Sequence, residues 1–166
     1  MLQVHTEDSI ALLILDHEDR GNSFGSNEAA VLAKTLKNKS LRGLILTGIG
    51  TRFFCTGGNL SEQAATGAQK AFAAQGRVRE ALQALQKWPH PTVALVNGDC
   101  FGGGTELVSA FDLVLATPHA LFGFWQRKLG LTYGWGGGAR LLRRLTPQAL
   151  ATRALETRLM TASEAR

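Results

Sequence analysis

The feature that most constrains this chain is a run of three glycines between an apolar segment and a helix-compatible segment, at residues 101–106 (Phe-Gly-Gly-Gly-Thr-Glu). Residues 92–96 before the glycines predict a buried strand, and residues 107–110 after them fit a helix. Glycine lets a backbone approach a ligand closely, and the first N–H groups of a helix are unpaired and carry partial positive charge. The pattern therefore predicts a turn that stabilises a developing negative charge on oxygen, with Glu106 beside it to move a proton.

A second loop has the same design. Residues 44–47 predict a short strand that ends at Gly48, and residues 54–60 (Phe-Cys-Thr-Gly-Gly-Asn-Leu) follow with two adjacent glycines. If the strands before the two loops are neighbours, one N–H group from each loop can point at the same oxygen. Two such donors form an oxyanion hole, in which one donor typically contributes about 2.7–4 kcal/mol of transition-state stabilisation.

Strands and helices alternate along the sequence, which predicts an α/β fold. No linker, repeat or low-complexity segment interrupts the alternation, so residues 1–166 are expected to form one domain. The longest predicted helix, residues 68–88, has an apolar stripe of Phe72, Val78, Leu82 and Leu85. The other predicted elements are strands at residues 10–15, 112–116 and 121–124, and helices at residues 27–36 (with Ser26 as N-cap), 141–145 and 148–159, with Ser163 starting one more.

The composition excludes several classes of protein. With 45% apolar and 19% charged residues, the chain is expected to be globular. It has neither an apolar run of membrane-spanning length nor the basic and apolar N-terminal segments of a signal peptide. Cys55 and Cys100 form no metal-ligand pattern with the scattered histidines. The two cysteines are therefore expected to be reduced thiols in a cytoplasmic protein, and no metal site is expected.

The net charge of +5 suits either nucleic acid or a phosphorylated small molecule as a partner. Many of the arginines lie after residue 139. Because aromatic residues are not interleaved with the basic ones, nucleic acid is not the expected partner. A solvated basic face is the simpler interpretation of this part of the chain.

In combination, motifs along nearly the whole chain resemble the crotonase superfamily, that is, the enoyl-CoA hydratase/isomerase family. The matching segments are residues 20–24 (Arg-Gly-Asn-Ser-Phe), 44–48, 53–60, 96–107, 112–116, 122–123 and 130–140. The resemblance implies a crotonase-like (ClpP/crotonase) spiral of β-β-α units, with the active site between strand ends and helix N-termini. It also implies assembly into a homotrimer or hexamer. The family has a C-terminal helical region, and this chain is expected to lack most of it.

The resemblance assigns roles to individual residues. The implied substrate is an acyl-CoA thioester, so coenzyme A enters as part of the substrate and no separate cofactor is expected. The N–H groups of Gly58 and Gly103 match those that hold the thioester oxygen, and Glu106 matches one of the two catalytic glutamates of hydratases. The expected substrate contacts are Arg20 (for the phosphates or adenine of CoA), Asn22, Phe54, Gly57, Trp125 and Trp135.

Two positions depart from the family pattern. The second hydratase glutamate aligns with Gln126, which can orient water or substrate through hydrogen bonds but cannot exchange a proton. The family's usual aspartate in the first loop is Asn59 here, at a structural position. Hydration, double-bond isomerisation and decarboxylation of a malonyl-type thioester all stay open, because each passes through the same enolate. A non-catalytic binding protein on this scaffold, with RNA as a candidate ligand, is the alternative from another class.

Several residues have a structural interpretation beside the functional one. Glu106 is also an acid of the kind that the first turn of a helix favours. Residues 134–138 lack the Lys-Ser/Thr of a phosphate-binding loop and are expected to form a close-packed turn beside the acyl pocket. Cys55 has no histidine near it in sequence and is expected to be a packing residue. Four aromatic residues are candidates for an acyl-pocket lining, although core packing is the default interpretation for aromatics: Phe101, Phe124, Trp125 and Trp135.

Overall fold

The computed structural model of the chain describes residues 1–59 and 67–165. Strands and helices alternate through both ranges. In chain order the elements are β1 (Leu2–Glu7), β2 (Ile10–Leu15), α1 (Ser26–Thr35), β3 (Gly43–Gly48), β4 (Phe53–Cys55), α2 (Ala68–Gln86), β5 (Thr92–Val96), β6 (Asp99–Phe101), α3 (Gly103–Val108), β7 (Leu113–Ala116), β8 (Leu121–Gly123), α4 (Gly137–Leu141), α5 (Pro147–Glu156) and β9 (Leu159–Thr161). Two 3-10 helices, Glu18–Arg20 and Trp125–Leu129, lie between these elements.

The strands form two sheets. The larger sheet has the order β1-β2-β3-β5-β7, and the smaller one has the order β4-β6-β8-β9. All neighbouring strands are parallel except the pairs β1–β2 and β8–β9, which are antiparallel. The chain repeats a unit of two strands followed by a helix. One such unit is β3-β4 followed by α2, and another is β5-β6-α3. Each of them supplies one strand to each sheet. The α/β class and the crotonase-like β-β-α alternation are therefore confirmed.

The core lies on the face of the larger sheet that α1 and α2 cover. Along β2 and β3, alternate side chains point into this core, as expected for strands with one well-buried face. Helix α2 packs against α1 and contributes Val78, Ala81, Leu82 and Leu85 to the core. The long apolar runs in the sequence thus build the larger sheet, whereas the glycine loops follow short strands of the smaller one.

Strands β3 and β5 are direct neighbours, which satisfies the condition for bringing the two loops together. Asn97, just after β5, ties their ends. Its side-chain oxygen accepts a hydrogen bond from the N–H of Gly48 at 3.1 Å, and its amide group donates to the carbonyl oxygens of Gly48 and Gly50 at 2.8 and 2.7 Å. The segments after both strands therefore leave the larger sheet side by side, and they lead through β4 and β6 to the two glycine loops.

The predicted strands agree with β2, β3, β5, β7 and β8 to within one or two residues at their ends. Four strands were not predicted. β4, β6 and β9 are only three residues long, too short for alternation to stand out. β1 is mostly exposed, with Val4, His5, Thr6 and Glu7 all facing solvent, and so lacks a continuous apolar face. The last of these short strands, β9, replaces the end of a predicted helix.

The helix predictions need several corrections. Helix α1 starts at Ser26 itself, and the N-cap is Gly25, whose N–H donates to the Glu28 carboxylate at 3.0 Å. Phe72 does not belong to the buried stripe of α2, because it is 74% exposed. Ser163 lies in a turn rather than at a helix start. The predicted helices 141–145 and 148–159 are displaced towards the N-terminus, since α4 follows directly on the glycines and Thr146 caps α5 through its hydroxyl group.

No described helix has both the length and the apolar character to cross a membrane. Within the same described ranges, no three His, Cys, Asp or Glu side chains come together as a metal site.

Candidate active site

The two glycine loops lie against each other. They follow the parallel neighbours β4 and β6 of the smaller sheet. A Cβ atom on Gly57 would lie 2.7 Å from the backbone nitrogen of Gly103, and a Cβ atom on Gly103 would lie 3.1 Å from the Cα atom of Gly57. Gly57 also has a φ of +100°, a conformation that side chains disfavour. Only glycines at these positions allow the two backbones to approach so closely.

Both loops open into one cavity of about 970 Å³, called the glycine-loop cavity from here on. Helix α3 begins at Gly103, so the N–H of Gly103 has no carbonyl partner within its own helix. The wall opposite the loops is formed by the 3-10 helix Trp125–Leu129 and the turn after it. Six residues of the lining matter for the chemistry: Gly58, Gly103, Glu106, Gln126, Tyr133 and Trp135.

Glu106 is the fourth residue of α3 and is only 2% exposed. Its Oε2 atom accepts hydrogen bonds from the backbone N–H groups of Trp135 at 2.9 Å and Gly137 at 2.8 Å. Its Oε1 atom faces the Gln126 side-chain amide, whose Nε2 atom lies 3.4 Å away at the weak limit of a hydrogen bond. One carboxylate oxygen is thus fixed by the backbone, and the other is only loosely held.

Burial raises the pKa of the Glu106 carboxyl group above its ordinary value. The hydrogen bonds from Gly137, Trp135 and Gln126 act in the opposite direction, as does the positive charge of Arg140, but they do not cancel the effect of burial. A raised pKa brings a carboxyl group closer to neutral pH, where proton transfer by general acid–base catalysis is more efficient.

Residues 134–138 form the close-packed turn that the sequence predicted. A Cβ atom on Gly137 would lie 2.8 Å from the Cβ atom of Glu106, so only glycine lets its N–H reach the carboxylate. Gly136 has a φ of +84°, which aims the chain into helix α4. The glycines here serve the carboxylate of Glu106.

Arg140 and Ser109 hold the backbone of Glu106 in place. The Arg140 guanidinium is buried and donates to the backbone oxygen of Glu106 and to the Ser109 hydroxyl oxygen, both at 2.9 Å. The Ser109 hydroxyl group itself donates to the same backbone oxygen at 2.6 Å. Burial lowers the pKa of Arg140, while the nearby Glu106 charge raises it. The interpretation of Arg140 as part of a solvated basic face is therefore wrong. The feature of the sequence that could have indicated its burial is its position just after a glycine-rich turn.

The aromatic candidates divide into three groups. Trp135 is buried, lines the cavity and meets the ring of Phe24 edge-on at 5.9 Å. Trp125 is half-buried in the cavity wall and stacks on Phe101 at 4.2 Å, with the Lys128 ammonium group 4.4 Å from its ring. Phe124 is buried and lies outside the described lining of this cavity. Trp125, Trp135 and Phe101 therefore provide an apolar wall.

Two of the predicted substrate contacts are core residues instead. Asn22 is fully buried, with a φ of +52°. Its amide group donates to the carbonyl oxygens of Ile49 and Phe53 at 2.9 and 2.6 Å, and its oxygen accepts from the N–H of His17. Phe54 is likewise fully buried in the hydrophobic core. Both residues hold the first glycine loop in place, and their side chains do not reach the glycine-loop cavity.

Arg20 lies in a different place from the other predicted site residues. It lines a second cavity of about 520 Å³, called the basic cavity from here on, with Lys70 and Arg77 as its other long cationic side chains. Glu28 is the carboxylate of that lining. The two cavities are lined by consecutive residues of the first loop, Gly58 in one and Asn59 in the other. Arg20 thus lines a cavity that borders the first glycine loop, and it lies outside the glycine-loop cavity itself.

The cysteines are packing residues, as expected. Both are free and fully buried. Burial raises the pKa of Cys55 to about 12 and the pKa of Cys100 well above its ordinary value. A thiol that stays protonated at physiological pH is a poor nucleophile, which agrees with a packing role for Cys55 despite its place before the first loop.

Comparison with known proteins adds to this geometry. A family model described as enoyl-CoA hydratase/isomerase matches residues 5–166. Carnitinyl-CoA dehydratase of Proteus mirabilis is 34% identical over 99% of this chain and 64% of its own length. Ethylmalonyl-CoA decarboxylase of Gallus gallus is 34% identical over 81% of this chain and 46% of its own length.

The fold matches solved structures closely. The structure of an enoyl-CoA hydratase from Bacillus anthracis superposes with a TM-score of 0.91 at 28% sequence identity. The match covers 99% of this chain and 66% of that one. The chain therefore spans about half to two thirds of the length of the relatives it matches.

Proposed function

Because the chain belongs to the enoyl-CoA hydratase/isomerase family, we propose that it acts on an acyl-CoA thioester and forms the enolate of that thioester in the glycine-loop cavity. The observation that carries the proposal is the position of Glu106. It is buried, fixed by two backbone N–H groups, and lines the same cavity as Gly58 and Gly103. An acid of this kind next to two glycine loops suits proton transfer at the α-carbon of a bound thioester.

The proposed oxyanion hole consists of the N–H groups of Gly58 and Gly103. When the α-carbon loses a proton or a carboxylate group, the electron pair moves onto the thioester oxygen, which becomes negative. Two fixed N–H donors stabilise that charge without having to reorganise, and one of them stands at the start of helix α3, where the helix adds partial positive charge. The contact between Gly57 and Gly103 supports this role, because it sets the spacing of the two loops.

Glu106 is the proposed general acid and base. Its Oε2 atom is held by Trp135 and Gly137, whereas Oε1 faces Gln126 and has room to exchange a proton. The ionised form takes a proton from the α-carbon, and the protonated form returns one to the enolate. Because the pKa of Glu106 is raised by burial, the protonated form persists to a higher pH than in an ordinary carboxyl group.

The nucleotide part of coenzyme A is proposed to bind in the basic cavity. Arg20, Lys70 and Arg77 are exposed cationic side chains there, and phosphate groups carry the complementary charge. The acyl group is proposed to lie in the glycine-loop cavity against Trp125 and Trp135. Gly57 acts through the spacing of the loops rather than through a side chain. The proposed assembly, a homotrimer or hexamer, rests on the family alone.

The direct test is exchange of the α-protons of propionyl-CoA in D₂O, followed by NMR. The chain is expected to catalyse the exchange, and Glu106→Gln is expected to lower its rate about a thousandfold, since general acid–base catalysis contributes roughly 10²–10⁴. Glu80→Gln, which changes an exposed glutamate on α2, is the matched control and should exchange at the wild-type rate.

Two results would refute the proposal. The first is binding of propionyl-CoA without any α-proton exchange, which would make the chain a binding protein. The second is an equal exchange rate in wild type and Glu106→Gln, which would remove Glu106 from the chemistry.

A further inference from the structure

The mouth of the glycine-loop cavity carries a group of exposed apolar side chains. The group, called the apolar rim from here on, consists of four lining residues that are also exposed to solvent: Phe72, Leu129, Leu131 and Leu159. They come from helix α2, from the end of the 3-10 helix Trp125–Leu129 and the segment after it, and from β9. Single exposed apolar residues are ordinary, but several around one cavity indicate a surface that a ligand or a partner covers.

The charged side chains that line the mouth have neighbours of their own. The Arg52 guanidinium lies over the Phe53 ring at 4.7 Å from its centre. The Asp99 carboxylate accepts a hydrogen bond at 3.1 Å from the first N–H group of β8. Arg79 extends its aliphatic stem along the turn at Gly136, where a Cβ atom would lie 3.6 Å from Arg79 Cγ. The apolar rim itself is hydrocarbon, and a hydrocarbon group is the ligand that complements it.

Helix α2 separates the apolar rim from the basic cavity. With about 3.6 residues per turn, successive residues are about 100° apart around the helix axis. Positions 70, 73, 74 and 77 therefore share one side and line the basic cavity, whereas positions 72, 75 and 79 share the opposite side and line the glycine-loop cavity. Because the nucleotide of the thioester is proposed to bind on the first side, the second side is left for the acyl group.

The glycine-loop cavity is larger than a short acyl group needs. Its volume of about 970 Å³ lies at the upper end of the range of about 300–1,000 Å³ for small-molecule sites. Glu106, which lies next to the reacting carbon in the proposed function, is buried, whereas the apolar rim is exposed. A short acyl group held at the glycine loops would therefore leave the rim in water, and a longer one would cover it.

We propose that the acyl group is an uncharged hydrocarbon chain of medium length, as in octanoyl- or decanoyl-CoA, and that Phe72, Leu129 and Leu131 select it by covering its outer methylene groups. This inference rests on the proposed function, because it needs the thioester to bind at the glycine loops. It adds the class of acyl group and the residues that select it, neither of which Glu106 and the glycine loops determine.

The apolar rim gives each added methylene group a measurable effect. Full burial of a methylene group contributes about 0.8 kcal/mol, which is about fourfold in affinity. Because a chain that lies on the rim keeps one side in water, the expected gain is about two- to fourfold for each methylene group. A charged group in the same place would instead lose part of its hydration without finding an opposite charge on the rim.

The experiment measures α-proton exchange in D₂O for butanoyl-, hexanoyl-, octanoyl- and decanoyl-CoA. For wild type, kcat/KM is expected to rise about two- to fourfold with each methylene group from hexanoyl- to decanoyl-CoA. Phe72→Ser and Leu131→Ser are each expected to lower kcat/KM for decanoyl-CoA about tenfold and to leave the value for butanoyl-CoA within about twofold, since only the longer chain reaches the rim. Leu142→Ser is the matched control, because Leu142 is 50% exposed, like Leu131 at 48%, but lies outside the described lining of both cavities.

The outcomes separate this inference from the proposed function. A wild-type kcat/KM that stays level or falls from hexanoyl- to decanoyl-CoA would overturn the inference and leave the proposed function standing. Absence of exchange with every thioester of the series would overturn both. If Phe72→Ser and Leu131→Ser keep the wild-type dependence on chain length but lower the mass of the protein in light scattering, the apolar rim is a contact between copies of the chain, and the inference is wrong.

Discussion

The glycine-loop cavity and the basic cavity are lined by consecutive residues of the first loop, but they differ in how deeply their functional groups are buried. In the first, the chemical groups are buried and fixed by backbone contacts: Glu106 is 2% exposed and held by two N–H groups. In the second, Arg20, Lys70 and Arg77 are exposed side chains on the surface of the 3-10 helix Glu18–Arg20 and helix α2. The comparison separates a region built for the proposed chemistry from a region that attracts charge.

The difference has an energetic meaning. Buried donors and acids act at low effective dielectric, where each interaction is strong and any displacement is costly. Exposed charges act through water and are screened by salt, so each contributes little on its own. Substitutions in the glycine-loop cavity are therefore expected to change rates by large factors, and substitutions in the basic cavity to change affinity by small ones.

The largest effect among the loop variants is expected for Gly57→Ala. The added Cβ atom would meet the Gly103 nitrogen at 2.7 Å, so the loops must separate and the proposed oxyanion donors lose their spacing. We expect α-proton exchange to fall about a hundredfold, in the range for loss of one oxyanion donor. Gly67→Ala is the matched control, because Gly67 also has a positive φ but no atom within 4 Å of its Cβ position. Equal losses in both variants would show that backbone strain alone matters.

An intermediate effect is expected for Arg140→Gln. Its loss removes two buried hydrogen bonds, to Ser109 and to the Glu106 backbone, and should lower the free energy of unfolding by about 1.5–3 kcal/mol. It also removes a positive charge that lowers the pKa of Glu106. Because exchange needs the ionised carboxylate, its rate rises with pH through that pKa, and the rise should move to higher pH in the variant.

The pH profile distinguishes this tuning from a purely structural role. Arg143→Gln, an exposed neighbour on the same segment, should leave both stability and profile unchanged. A profile for Arg140→Gln that coincides with wild type, in protein that is still folded, would limit Arg140 to packing.

The smallest effect is expected in the basic cavity. Lys70→Ala and Arg77→Ala should each raise the KM for propionyl-CoA about two- to fivefold at low salt, with kcat unchanged, because exposed ion pairs contribute little. The increase should disappear in 1 M salt, where the screening length falls to about 3 Å. Propionyl-pantetheine lacks the nucleotide phosphates and serves as the control substrate. An equal KM change for both substrates would place the nucleotide elsewhere.

The sequence predicted those parts of the site whose signal is local. Each glycine loop is a short segment directly after a strand, and Glu106 lies three residues after Gly103 in the helix that this loop starts. The prediction that the two loops share one site requires β3 and β5 to be neighbours, and in the fold they are. The raised pKa of Glu106, by contrast, depends on burial that only the folded chain provides, and the turn that packs against its side chain lies about thirty positions away along the chain.

The remaining parts could not be predicted because they depend on tertiary contacts. Arg140 carries an ordinary surface-type side chain, and only the packing of α4 against α3 buries it. Asn22 and Phe54 belong to segments that match the family pattern, but their side chains lie in the core. Tyr133 lies in a segment without periodicity, so nothing local indicates that its hydroxyl group ends up unpaired beside the cavity. The fold thus decides which side chains face the site, and closeness to a motif in the sequence indicates this only weakly.

The central claim is that two N–H groups polarise the thioester carbonyl beside Glu106. The most direct measurement is the ¹³C NMR shift of the carbonyl carbon of [1-¹³C]propionyl-CoA when it is bound. The account predicts a downfield shift relative to the free thioester that persists in Glu106→Gln and is lost in Gly57→Ala. A bound carbonyl with the same shift as in free propionyl-CoA would contradict it.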